Sequence, residues 1–256
     1  MSLDKNVLSE NKQPLLVHLV ELRSRLIKTM IMITILFVIF YFFADSIYNF
    51  LVQPYADAVE GEEGRRLIFT ALHETFFTYI KVALFASLFI SLPVLLIQLW
   101  IFVAPGLYKN EKSVVVPYLL ATPILFILGS ALVYYLIMPL AIKFFLSFES
   151  IGGNGALPIQ LEAKVNEYLS LIMRLILAFG LCFQLPVALT LMARVGFVSS
   201  ESLRKNRKYV IVGVFAVAAI LTPPDPISQI GLGIPILLLY ELSIIAVSFI
   251  EKRKNN

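Results

Sequence analysis

Long apolar runs separated by short polar connections dominate the chain. Six runs approach the length of a membrane-spanning helix, which needs about 20 residues to cross a hydrocarbon core of about 30 Å. They are predicted at 27–48, 76–104, 115–142, 165–193, 209–223 and 227–250. The connections hold nearly all of the charge, and no separate soluble domain is evident. The pattern predicts an all-α integral membrane protein, with residues 1–256 as one membrane domain.

The positions of Lys and Arg predict the orientation of these spans, because basic residues accumulate in cytoplasmic connections. One set of alternating connections holds 15 of the 21 basic residues, and the other holds four. The rich set comprises the N-terminal tail with the start of the first span, the 105–114 and 194–208 loops, and the C-terminal tail. Both termini are therefore predicted to be cytoplasmic. The polar first 26 residues lack a signal-peptide pattern, so the first run is expected to be retained.

Two runs depart from a plain span. Residues 209–223 give about 22 Å of helix, which is shorter than the hydrocarbon core and predicts local thinning of the bilayer. Pro93 and Pro186 fall at similar places in the second and fourth runs. This is typical of two kinked helices, and the alternative is a repeat with a binding site at broken helices, as in a secondary transporter.

Composition narrows the classes of function. Hydrophobic residues make up 59% of the chain and charged residues 15%, against about 45–50% and about 25% in soluble domains. The net charge of +4 is too small to indicate nucleic-acid binding. One cysteine, Cys182, and two histidines offer neither a disulfide nor a plausible metal site, so no metal or cofactor is expected. No nucleophile–base pair is evident, which argues against an enzyme.

Polar residues inside the predicted spans need an explanation, because each is costly in lipid. Arg174 and Gln184 lie within the fourth run and Glu241 within the sixth. For each of these three residues, the pattern favours neither of two explanations over the other: an interhelical hydrogen bond that fixes the packing, or a functional role. Glu241 is the only carboxylate well inside a span, so the pattern does not indicate a proton relay.

Two carboxylates lie on the predicted cytoplasmic side. Residues 14–26 have the period of an amphipathic surface helix, in which Glu21 either pairs with Arg25 or faces a partner. Glu111 follows Asn110, a good N-cap, so it either stabilises the start of the third span or faces a partner. Spacing alone favours the local role for both.

Five motifs, taken in order, resemble the TatC family, the core subunit of the twin-arginine protein translocase. They are HLVELRSRL at 18–26, WIFVAPGLYKNE at 100–111, FG at 179–180 with QLPV at 184–187, LTPPD at 221–225 with Gln229, and PILLLYE at 235–241. The resemblance runs from about residue 14 to 250. It implies a concave, glove-like arrangement of six helices in the bacterial inner membrane, and a receptor rather than an enzyme.

The resemblance also implies partners and site residues. Family members bind twin-arginine signal peptides of folded proteins, assemble with the single-span subunits TatB and TatA and with further copies of themselves, and use the proton gradient. Glu21, Arg23, Lys109 and Glu111 match the signal-peptide site. Gln184, where many members have Glu, and Thr222 match partner-helix contacts, while Pro223, Asp225 and Gln229 match a periplasmic cap. It gives no clear role to Glu241 and none to Arg174.

Overall fold

The computed structural model describes residues 13–61, 64–103, 112–150, 152, 157–222 and 226–255. These residues form helices, turns and isolated β-bridges, without an extended strand among them. The helices are α1 (Gln13–Phe42), α2 (Ala44–Ala58), α3 (Glu74–Val103), α4 (Lys112–Leu132), α5 (Met138–Leu146), α6 (Val165–Cys182), α7 (Leu185–Val195), α8 (Ser200–Lys205), α9 (Arg207–Leu221) and α10 (Pro226–Asn255). A π-helical turn, Val133–Ile137, joins α4 to α5. The fold is all-α, as predicted.

Five stretches of the described chain are long and apolar enough to cross a membrane. They are Arg23–Phe42, Glu74–Ile101, Val116–Leu146, Val165–Val195 and Ser228–Lys252. The fifth predicted run forms α9, whose 15 residues give about 22 Å of helix. The expectation of a short helix at this position is confirmed. Whether α9 makes a sixth crossing of the membrane stays a prediction.

The five long apolar stretches, Arg23–Phe42, Glu74–Ile101, Val116–Leu146, Val165–Val195 and Ser228–Lys252, together with α9, run alternately between two ends of the bundle. At one end, Ile68 bridges to Lys164 and Ser150 bridges to Ile159, and we call it the bridge end. At the other end lies the short helix α8, and we call it the α8 end. The start of α1 lies at the α8 end, because the Thr29 hydroxyl donates to Gln98 near the end of α3 at 3.3 Å.

Helix α2 was not predicted, because the first span was expected to end at 48 and no helix was expected between it and the second span at 76–104. It is amphipathic and tolerates Pro54 in its interior. Its Leu51 and Tyr55 are buried in the main core. The core continues through the π-helical turn and α6, where Leu169 and Ile172 are fully buried.

Helices α4 and α6 approach each other closely at two glycines. A Cβ built on Gly129 would lie 2.7 Å from the Phe179 carbonyl oxygen, and one on Gly180 would lie 2.6 Å from the Phe126 ring. Both phenylalanines are fully buried. Small residues at such crossings let helix backbones pack closely in a membrane.

The second and fourth runs, which contain Pro93 and Pro186, differ in whether the helix is broken. Helix α3 continues through Pro93. The fourth run is divided at Phe183 and Gln184, and Pro186 lies in the first turn of α7, where proline costs no hydrogen bond. The repeat considered from the sequence requires a break in both helices. Only the fourth run is broken, so the structure does not show this repeat.

Candidate functional site

Glu21 lies on α1 at the α8 end of the bundle. Its carboxylate accepts two hydrogen bonds from Arg25, the shorter at 2.7 Å, and the Glu21 side chain is 45% exposed. The local ion pair considered from the sequence is thus present. Because the carboxylate also remains accessible, the pair does not exclude recognition of a second cation.

An exposed apolar face continues along α1 from this ion pair. Leu26, Ile27, Met30 and Ile31 are each about half exposed. Together with Arg23 they form one wall of an open space of about 590 Å³, whose described lining residues all belong to α1. A carboxylate and an apolar face therefore lie in succession on one helix.

The other predicted signal-peptide residues, Lys109 and Glu111, lie outside the described residues. The last described residue of α3, Val103, and the first residue of α4, Lys112, lie at the α8 end. This is also the end at which Glu21 lies.

Gln184 lies inside the bundle at the α6–α7 break. Its side chain is 4% exposed, and its amide nitrogen donates to the Thr122 carbonyl at 3.0 Å. The amide oxygen is buried without a hydrogen-bond partner among the described residues. The structure thus places Gln184 against α4, away from an open surface.

Thr222, predicted as a partner-helix contact, and Gln229, predicted as part of the cap, lie where α9 ends and α10 begins. Thr222 is 6% exposed and donates to the Ala218 carbonyl at 2.9 Å. Gln229 donates to the Phe215 carbonyl at 3.2 Å and so ties α10 to α9. Pro223 and Asp225 lie outside the described residues.

Glu241 receives a role that the sequence did not provide. Its carboxylate accepts a hydrogen bond from Arg207, at the start of α9, at 2.6 Å. The neighbouring Tyr240 hydroxyl donates to the Leu203 carbonyl at 2.8 Å. These two hydrogen bonds hold α10 against the junction between α8 and α9.

Arg174 lies on α6, and its side chain is exposed toward a cavity of about 570 Å³ at the bridge end. Lys164 and Thr222 also line this cavity. The structure therefore separates Arg174 from Gln184, which belongs to the same predicted run but points into the bundle.

One ion pair at the bridge end was missed. Arg65 donates to both carboxylate oxygens of Glu149, which also accepts from the Leu161 backbone N–H at 2.7 Å. These bonds, with that from Arg65 foremost, lower the pKa of Glu149 to about 2. The two residues are 84 positions apart, so no local spacing in the sequence could have paired them.

Metal chemistry receives no support from the described residues. Among them, no group of three or more His, Cys, Asp or Glu side chains is placed to hold a metal ion.

Comparison with known proteins identifies the family. The family model described as "Sec-independent protein translocase protein (TatC)" matches residues 17–235. The chain is 48% identical over 245 residues to the Sec-independent protein translocase protein TatC of Magnetococcus marinus, covering 96% of this chain and 88% of that one. It is 39% identical over 247 residues to the TatC of Escherichia coli, covering 96% and 93%.

A solved structure agrees in fold. The crystal structure described as the twin-arginine translocase receptor TatC matches with a TM-score of 0.77 and 36% sequence identity, covering 91% of this chain and 98% of that chain. Family, relatives and fold therefore lead to one conclusion: the chain belongs to the TatC family of Sec-independent protein translocase proteins.

Proposed function

We propose that the chain is the signal-peptide receptor of a twin-arginine translocase, and that its site lies at the α8 end. The observation that carries this proposal is the exposed Glu21 carboxylate beside the apolar face of α1. An export signal has a positively charged segment followed by an apolar segment. The basic segment would bind the carboxylates, and the apolar segment would lie along α1.

A preference for arginine follows from the chemistry of the carboxylate. A guanidinium can donate two parallel hydrogen bonds to a carboxylate, whereas an ammonium acts as a point charge. We assign Glu21 and Glu111 to the two signal arginines. We assign Arg23 and Lys109 to the same site, where they would contact carbonyl or acidic groups of the peptide.

Partner subunits are the second part of the proposal. We assign TatB, TatA and further copies of this chain as partners, with Gln184 and Thr222 in the partner-helix contact and Pro223, Asp225 and Gln229 in the cap. Gln184 and Thr222 are buried in the isolated chain. A partner would reach the region through exposed neighbours such as Val217 and Ile220 on α9.

The apolar spans and the family make the chain a multi-pass membrane protein. We further propose the bacterial inner membrane, with both termini cytoplasmic, and transport of folded proteins driven by the proton gradient. Signal peptides arrive from the cytoplasm, so a signal-peptide site at the α8 end requires that this end faces the cytoplasm. No catalytic step is assigned to the chain.

Peptide binding to the chain in lipid nanodiscs tests the receptor role. A labelled signal peptide with Arg-Arg is compared with its Lys-Lys form, on the wild type and on Glu21→Gln, Glu111→Gln and Glu201→Gln. Glu201 is the matched control, because it is an exposed glutamate on α8 at the same end. Losing a bidentate charge-assisted pair should weaken binding about tenfold.

We expect about tenfold weaker binding of the Lys-Lys peptide to the wild type, and of the Arg-Arg peptide to Glu21→Gln and Glu111→Gln. Binding to Glu201→Gln should equal that of the wild type. Equal binding by Glu21→Gln and wild type would reject the assignment of the carboxylate. Equal binding of the two peptides would reject arginine recognition by the chain.

A further inference from the structure

The cavity at the bridge end has a charged rim and an apolar wall. Its volume of about 570 Å³ lies within the range of about 300–1,000 Å³ that is common for small-molecule sites. Met138, Ile142 and Phe145 form part of the apolar wall. Charged side chains of both signs also line the cavity. Glu162 and Lys164 lie just before α6, Glu167 lies in its first turn, and Arg174 lies near its middle.

Arg174 is the unusual member of this set. It follows Lys164 by ten residues, which places it about 15 Å farther along the helix axis. Within the described part of the chain it forms no ion pair or hydrogen bond, and its side chain is exposed. An arginine at such a depth is costly in hydrocarbon unless water or a lipid phosphate reaches it.

The short helix α9 supplies a reason for a phosphate at this depth. The last residue of α9, Leu221, and the adjacent Thr222 line the same cavity as Arg174. A helix of about 22 Å is accommodated by local thinning of the bilayer. Headgroups beside the end of α9 are therefore drawn toward the level of Arg174.

The order of the charges matches a zwitterion. Lys164 and Glu167 pair with each other at 3.6 Å, and their charges cancel. Arg174 then remains as the deep cation and Glu162 as the rim anion. A headgroup with an inner phosphate and an outer ammonium has the complementary order.

We propose that this cavity binds the headgroup of a phospholipid with a primary ammonium group. The phosphate lies on Arg174, the ammonium lies at Glu162, and the upper acyl chain packs along the apolar wall. This site is independent of signal-peptide recognition, which is assigned to the opposite end of the bundle.

Native mass spectrometry of the full chain tests the proposal. Phosphatidylethanolamine and phosphatidylglycerol with identical acyl chains are titrated against the wild type, Arg174→Gln and Lys143→Gln. Lys143 is the matched control, because it is an exposed cation on α5 at the same end that does not line the cavity. Inorganic phosphate is added separately as a competitor.

The wild type should prefer phosphatidylethanolamine, and Arg174→Gln should reduce its binding about tenfold, with Lys143→Gln unchanged. Inorganic phosphate should not displace the lipid. A variant at the exposed rim, Glu162→Gln, should remove the preference while phosphate-dependent binding persists. The proposal is overturned by equal binding of the two lipids to the wild type, by displacement with inorganic phosphate, or by undiminished binding to a folded Arg174→Gln variant.

Discussion

Glu21 already binds an arginine of its own chain. Its pair with Arg25 spans one helical turn and is partly exposed, so it contributes only about 0.3–0.5 kcal/mol. In the proposed receptor role, an incoming guanidinium would therefore displace Arg25 at little cost.

Removing this internal competitor should strengthen peptide binding. We expect Arg25→Gln to raise the affinity for the Arg-Arg peptide about twofold. The peptide no longer has to displace Arg25 from Glu21, which costs about 0.5 kcal/mol. Fluorescence anisotropy in nanodiscs measures the change. Lys28→Gln, which removes an exposed cation one turn further along α1, controls for the general loss of positive charge. Weaker binding by Arg25→Gln would mean that Arg25 belongs to the peptide site.

The Arg65–Glu149 pair predicts a pH dependence of stability. The pKa of Glu149 is lowered from 4.5 to about 2 by its bonds to Arg65 and to the Leu161 N–H. A lowered pKa in the folded state stabilises it above the unfolded pKa, and this contribution disappears as the pH falls through the folded pKa. The loss is therefore expected between about pH 4.5 and pH 2.

Thermal unfolding in detergent across this pH range checks the prediction. The melting temperature of the wild type should fall more steeply than that of Glu149→Gln, which cannot titrate. The difference between the two proteins should be largest above pH 4.5 and should shrink toward pH 2. Parallel curves would show that Glu149 does not carry the dependence.

At the scale of helices, the close crossing of α4 and α6 gives the sharpest test of packing. Gly129→Ala would place a methyl group 2.7 Å from the Phe179 carbonyl oxygen and 2.8 Å from the Phe183 ring. Backbone cannot yield as a flexible side chain does, so we expect a destabilisation of about 1–3 kcal/mol. Gly213→Ala in α9 is the control, because nothing lies within 4 Å of its added Cβ.

Thermal or denaturant unfolding of the two variants measures this difference. Gly213→Ala should be neutral or stabilising, since alanine favours the helix over glycine. Equal stability of Gly129→Ala and wild type would show that the two helices separate without cost.

Long-range packing explains what the sequence could not predict. Apolar run length was sufficient to predict five candidate spans and the shortness of α9, because lipid imposes a minimum length on a crossing helix. The same criterion overlooks α2, whose Leu51 and Tyr55 bury one face of a shorter, more polar helix. It also cannot show that Gln184 faces Thr122, because that contact joins residues 62 positions apart.

At the scale of the whole molecule, burial is distributed unevenly among the spans. In α1 only 6% of the most apolar window is buried, against 50% in the Val165–Val195 stretch. Helix α1 therefore packs on one side only, mainly against α3. Its remaining surface is available to lipid or to an apolar peptide, which agrees with the site proposed beside Glu21.

The proposed orientation predicts which end of the bundle faces the cytoplasm. Leu157, at the bridge end, is 86% exposed, and Phe197, at the α8 end, is 79% exposed. The Val165–Val195 stretch, about 46 Å of helix, lies between them. After Cys182 is replaced by Ser, single cysteines at 157 and 197 should react differently with a membrane-impermeant maleimide. In intact cells, Leu157→Cys should be labelled once the outer membrane is permeable, whereas Phe197→Cys should be labelled only after the inner membrane is opened. The reverse pattern would place the Glu21 surface outside the cell, where a signal peptide arriving from the cytoplasm could not meet it, and would therefore refute the receptor proposal as well as the orientation.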